Sequence, residues 1–183
     1  MVLIRRLFLF LLGVAIILVI GGFLLPTTVE TQRDIEIQRS PGAVFEVLDG
    51  FEHFPEWSPW LRNRPDMEYT RSGPDRGAGA RLEWSDGVGD AGDGRLTILD
   101  SREAEQIDME LELQERYRSD SRFELEPVAG GTRVTWAMSM EFGTFDLVGR
   151  YLGLMLPGLI GRDYQLGLEA LRDYMEQPGE VGG

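Results

Sequence analysis

The chain has 183 residues, with 18 basic and 31 acidic side chains, no cysteine and a formal net charge of −13. Every basic residue is arginine, and the first 26 residues hold two of them and no acid, which leaves 16 arginines against 31 acids over the rest. Such a balance repels phosphate backbones and anionic headgroups, excluding nucleic acid as a partner and arguing against peripheral membrane adsorption, and a chain without thiols has no disulfide, thiolate metal site or cysteine nucleophile.

The length suits one domain with an appendage. The appendage comes first. After a short basic tail, 1–6, the run Leu7 to Leu25 is uncharged, and 15 of its 19 residues are Leu, Ile, Val or Phe. At about 1.5 Å per residue it covers the hydrocarbon of a bilayer. A cleaved signal peptide is the alternative, but its apolar region is usually about 7–15 residues, and Pro26-Thr27-Thr28-Val29 lacks a small-x-small cleavage site. The expectation is a single-pass anchor in a bacterial inner (cell) membrane. Arg5 and Arg6 ahead of it are matched in number by Arg33 and Arg39 beyond it, but the short tail's charge is uncompensated, which favours a cytoplasmic N-terminus and an extracytoplasmic domain. Gly13 and Gly21 are too far apart for a small-xxx-small dimer motif, so a monomer is expected.

Residues 28–39 alternate as a strand, with Ile35 and Ile37 opposite Asp34 and Glu36. Ser40-Pro41 opens a short helix that buries Val44, Phe45, Val47 and Leu48. The stretch from Phe51 to Pro65 has three prolines and cannot be one helix; it reads as a turn-rich plug at one end of the fold. About six strands follow. Those named by alternation are Ala80 to Trp84, Arg95 to Ser101, Ile107 to Leu113, Ser119 to Glu126, and Val134 to Phe142 after a Gly130-Gly131 turn. A shorter helix over Asp146 to Leu156 is expected to break at Pro157-Gly158. Ile160, Tyr164, Leu168, Leu171 and Met175 then share one face of a terminal helix, stopped at Gln177-Pro178-Gly179. The last residues, 178–183, read as a disordered tail. Tyr151 to Gly161, YLGLMLPGLIG, is too short to cross a bilayer; it reads as core helix, with a gate lying near the membrane as the alternative.

Several patterns carry no chemistry. Gly87-Val-Gly89-Asp-Ala-Gly92 matches G-x-G-x-x-G but leads into a strand and is flanked by acids, so a hairpin loop is expected. Asp86, Asp90 and Asp93 lack the spacing of a calcium loop. His53 is the sole histidine, so a His cluster is excluded; it is expected to pack before Pro55. Glu110 and Glu112 point outward on a strand. No metal and no cofactor are expected.

Strand, short helices, strands and a long helix make an α+β layer architecture. In this order the chain resembles the START-like (SRPBCC) superfamily, near its polyketide cyclase/dehydratase branch. Arg39-Ser-Pro-Gly-Ala-Val-Phe-Glu-Val-Leu-Asp-Gly-Phe with Phe54-Pro-Glu-Trp-Ser-Pro-Trp60 carries the resemblance. So do Phe123-Glu-Leu-Glu-Pro-Val-Ala-Gly-Gly-Thr-Arg-Val-Thr-Trp136 and the closing helix, together spanning about 28–177. The resemblance implies a helix-grip fold, a curved antiparallel sheet around the C-terminal helix with an apolar cavity between them. The inward side chains Trp60, Trp84, Met109, Phe123, Trp136, Met138, Tyr164 and Leu168 are then candidates for lining it, and Ser121, Ser119 and Tyr164 for orienting a ligand's polar end. Filled core is the alternative for each. Three functions follow from the resemblance: a binding module for a lipid or other hydrophobic small molecule, a cyclase- or dehydratase-like enzyme, or a ligand-free, co-chaperone-like interaction domain. No catalytic motif carries over.

Overall fold

The computed structural model describes residues 2–62, 64, 67–85, 93–114 and 117–177. The glycine pattern at 87–92, Asp86, Asp90 and the 178–183 tail lie outside them.

The chain begins with α1 (Val2–Leu24), about 34 Å long. Its side chains are almost all exposed, and it is long and apolar enough to cross a membrane, a test that an N-terminal signal sequence also passes. Arg5 and Arg6 belong to its first turns. After β1 (Thr28–Ile37), the Ser40 hydroxyl accepts the Ala43 N–H at 3.3 Å and opens α2 (Pro41–Leu48). The proline-rich plug forms two single turns, α3 (Phe54–Trp57) and α4 (Pro59–Arg62). Six strands follow: β2 (Glu68–Ser72), β3 (Arg81–Ser85), β4 (Gly94–Arg102), β5 (Gln106–Leu113), β6 (Tyr117–Val128) and β7 (Gly131–Glu141). The chain closes with α5 (Leu147–Gly153) and α6 (Leu156–Glu176).

All seven strands form one antiparallel sheet in the order β1-β7-β6-β5-β4-β3-β2. Hairpins join the consecutive strands from β2 to β7, and β1 folds back to pair with β7 from Thr28↔Glu141 to Ile37↔Thr132. Alternation decides the faces. Ile107 and Met109, Phe123 and Leu125, Val134, Trp136 and Met138 point to the inner face and are buried. The intervening charges meet outside as cross-strand ion pairs, such as Arg122 with Asp108 at 2.6 Å and Arg133 with Glu36 at 2.9 Å. Arginine suits this lattice, since one guanidinium reaches two carboxylates, as Arg95 does with Glu83 and Glu112.

On the inner face, α6 lies against β1, with α3 and α4 packed on α6. The predicted helix face is the one it buries: Tyr164, Leu168, Leu171 and Met175 are at most 2% exposed. His53 is held to this layer, its Nδ1 2.9 Å from the Tyr174 hydroxyl.

Two expectations are corrected. The break in the terminal helices falls at Leu154–Met155, not at Pro157-Gly158. Pro157 sits in the first turn of α6, where the absent N–H would have had no helical partner anyway. The apolar run 151–161 is not a core helix either: Leu152, Leu154, Met155 and Leu159 are 57–63% exposed.

What α5 does contact is α1. The Tyr151 hydroxyl donates to the Leu18 carbonyl at 2.8 Å. Arg150, only 4% exposed, reaches the Gly22 and Leu25 carbonyls at 3.4 Å. A cation placed on the last carbonyls of a helix meets both their lone pairs and the negative end of the dipole. The approach depends on small residues: a Cβ on Gly22 would lie 3.2 Å from both Leu147 and Tyr151, and one on Gly21 2.7 Å from the Tyr151 hydroxyl. Phe23 and Phe145 meet edge to face at 6.2 Å.

Candidate functional site

The register lays the candidate residues out in two rows across the inner face. Met109, Ser121 and Met138 are paired across β5, β6 and β7, and Ile107, Phe123 and Trp136 form the next row. Over the second row lies α6. Gly167 makes room there: a Cβ would be 2.9 Å from the Trp136 ring and 3.1 Å from Pro59. The indole therefore lies directly on the helix and stacks on Tyr164, with centroids 3.8 Å apart and planes 9° from parallel. Trp60, on α4, meets both rings edge-on at 5.6 and 6.1 Å. Trp57 contributes edges to Phe123 and Trp136 at 6.0 and 5.7 Å.

Inside this aromatic group is a polar centre. Ser121 Oγ accepts the Trp136 indole N–H at 2.9 Å, donates to the Ala137 carbonyl at 3.3 Å and stands 3.4 Å from the Tyr164 hydroxyl. A serine hydroxyl has one proton and two acceptor sites. With its proton on Ala137, the remaining bond takes the Tyr164 proton, and the phenol oxygen keeps its own lone pairs for another donor. Burial pushes the Tyr164 phenol up from 10.0 to about 12, so at neutral pH it is an un-ionised hydrogen-bonding group. Two residues along β6, Ser119 is 3% exposed and its hydroxyl has no partner. A buried polar atom left single costs about 1–3 kcal/mol and asks for an explanation.

Of the candidates, the structure brings together Trp60, Met109, Ser121, Phe123, Trp136, Met138 and Tyr164. Leu168 is fully buried one turn along α6. Trp84 stands apart on β3, half-buried, its ring flat on Gly94 of the neighbouring strand. Trp57 and Gly167 were not singled out from sequence. The signal for Trp57 lies in the Trp57-Ser-Pro-Trp60 motif, and that for Gly167 is a glycine inside an otherwise regular helix pattern.

A depression of about 910 Å³ lies on the other side of the sheet, lined mainly by outer-face groups such as Gln32, Asp108, Asp120, Arg122 and Glu124. Its charged lining makes it a poor match for an apolar molecule. Among the described residues, no cluster of His, Asp or Glu is arranged to hold a metal ion.

A curved antiparallel sheet closed by a long C-terminal helix over an apolar, aromatic-lined interior defines the helix-grip class. The model of the family described as "Polyketide cyclase / dehydrase and lipid transport" matches residues 28–176, and the chain belongs to that family. No curated protein matches it in sequence. Solved structures share the fold. A START superfamily protein from Mycobacterium smegmatis is 18% identical, with 82% of this chain and 99% of that one covered and a TM-score of 0.58. The di-domain ARO/CYC StfQ of the steffimycin biosynthetic pathway gives 10% identity, 82% and 52% coverage and a TM-score of 0.63. The Aha1 dimer of Colwellia psychrerythraea gives 17%, 83% and 99%, and 0.58. Family and fold together make this a hydrophobic-ligand-binding or cyclase-like domain.

Proposed function

We propose that the protein is a membrane-tethered binding module for a lipid or other hydrophobic small molecule, held by α1 as a monomer on the extracytoplasmic side of the cell membrane. The molecule lies between the sheet and α6, against Met109, Phe123, Met138 and the Trp60–Trp136–Tyr164 rings. Its polar end is read by Ser119, Ser121 and Tyr164. The observation that carries this reading is the Ser121–Trp136–Tyr164 centre inside the aromatic group, with the buried, unpartnered Ser119 hydroxyl two residues along β6. The family's description, which includes lipid transport, supports it.

In the state described, the Trp136 and Tyr164 rings occupy each other's open faces. Binding therefore proceeds by their separation, with the methionines of the neighbouring row supplying adaptable surface. The Tyr164 phenol, with its proton committed to Ser121 and its pKa pushed up to about 12, is suited to accepting a hydrogen bond from a ligand hydroxyl and not to removing a proton. That disfavours the cyclase-like alternative.

The test is native mass spectrometry of the full chain released from nanodiscs made from its host's lipids. A discrete added mass that disappears on denaturation is expected, together with quenching of tryptophan fluorescence by a brominated fatty acid. A clean apo mass with unquenched fluorescence would sink the binding reading and redirect the search toward protein partners.

A further inference from the structure

Outside α1, the described residues include ten exposed large apolar side chains, and six of them fall between positions 145 and 159: Phe145, Val148, Leu152, Leu154, Met155 and Leu159. Over residues 147–161 the only charged side chain is Arg150, which is buried on α1. A surface stretch of this length without one exposed charge is out of character for a domain whose other faces are laced with ion pairs, and it marks an interaction site.

The docking of α1 says what covers it. Tyr151 bonds to the carbonyl of Leu18, six residues before the end of α1 at Leu24. Six residues of helix are about 9 Å, so α5 runs beside the last two turns of the apolar run. If that run fills a hydrocarbon layer of about 30 Å, the Tyr151 hydroxyl is roughly a third of the way into it. The exposed apolar side chains flank this contact.

We propose that α5 and the first turn of α6 are immersed in the bilayer leaflet from which α1 emerges, forming one membrane-embedded unit with it. The proposal rests on the reading of α1 as a retained anchor. Arg150 eases the electrostatic problem of such a unit: its Nη1 is set on the Gly22 and Leu25 carbonyls, its Nε is buried without a partner, and no charged group of residues 147–161 faces outward. The domain's acidic surface repels anionic headgroups at a distance, yet this corner presents no exposed charge to them. The adsorption that composition argues against is ionic, whereas this contact is apolar.

The absence of native cysteine makes the test direct. Leu152→Cys, Met155→Cys, Leu99→Cys and Ile16→Cys are each made in the full chain, nitroxide-labelled and reconstituted in phosphatidylcholine vesicles. Collision rates with oxygen, which partitions into lipid, and with a water-soluble nickel chelate are then compared. Labels at 152 and 155 are expected to match position 16, with oxygen-to-nickel ratios severalfold above that at Leu99 on the sheet. Labels at 152 and 155 that behave like Leu99 while position 16 reads as lipid would overturn the immersion and leave the anchor standing. Nickel access at position 16 as well would remove the anchor and the immersion together. Spectral broadening at 152 or 155 that is relieved by unlabelled protein would assign the patch to a second copy of the chain and overturn the proposal.

Discussion

The two ends of the C-terminal apolar segment are opposite in burial. From Tyr164 onward in α6, Tyr164, Leu168, Leu171 and Met175 are 0–2% exposed, whereas Val148, Leu152, Leu154 and Met155 are 57–71% exposed. Yet the exposed end is the more apolar in sequence. The distinction lies in what stands between the apolar residues. From Gln165 to Asp173, Gln165, Glu169, Arg172 and Asp173 give the helix a largely polar outer side, with Leu166 its one exposed large apolar residue, so the helix has two faces and packs one of them. Between Leu147 and Gly161 there is no polar face. Hydrophobicity alone therefore does not place a helix against the core; a helix that covers a core from the surface needs a polar side as well.

Truncations sharpen this contrast most. Leu168→Ala and Leu171→Ala should each lower stability by about 2–5 kcal/mol, the usual range for a buried leucine. Leu154→Ala and Leu159→Ala should stay within about 0.5 kcal/mol. Urea unfolding of the full chain in detergent, followed by sheet circular dichroism, measures both pairs, and equal costs would break the comparison. Ser121→Ala comes next, at about 1–3 kcal/mol, because it strands the buried Trp136 N–H and Tyr164 O–H. Ser119→Ala, which strands nothing, should leave the same unfolding curve nearly unmoved while weakening retention of a bound molecule.

Tyr164 supplies a pH dependence. Its folded pKa of about 12 stands above the 10.0 of an unfolded tyrosine, so the unfolded chain releases this proton first as pH rises. The contribution is fully present below pH 10 and is lost as pH climbs toward 12. Ultraviolet titration of the full chain and of Tyr164→Phe should assign to Tyr164 a phenol that ionises late, together with unfolding; a difference between the two that titrates near 10.0 would contradict the buried centre. The smallest effect on stability is expected for Gly22→Leu. It drives a side chain into Leu147 and Tyr151 without touching the sheet, so the urea midpoint stays in place while a nitroxide at Phe145→Cys becomes more mobile.

Much of the fold was legible because alternation is a strong signal where one face is buried. Ile107 to Leu113 and Val134 to Met138 read directly as strands, and the spacing from Tyr164 to Met175 gave the covering helix. Strand β2 carried no such signal: all five of its residues are exposed, and it is defined by pairing with β3. The site was half legible. Parity placed Ser121, Phe123 and Trp136 on the inner face. The stacking of Trp136 on Tyr164 depends on the missing side chain of Gly167, a relation between positions 31 residues apart that no local pattern encodes. The docking of Arg150 on α1 was hidden for the same reason. A lone arginine in an apolar run looks like an interruption until its partners, the carbonyls at the end of a helix more than 120 residues earlier, are brought to it.

The connection between α1 and the sheet has a practical consequence. Only Leu25, Pro26 and Thr27 separate Leu24 from Thr28, and three residues stretch to no more than about 11 Å. With α1 in a bilayer, the domain has almost no working radius. Under the proposed anchoring it is not a carrier that ferries cargo across an aqueous gap, because it has no leash to travel on, and a bound molecule would arrive at and depart from one fixed address at the membrane surface.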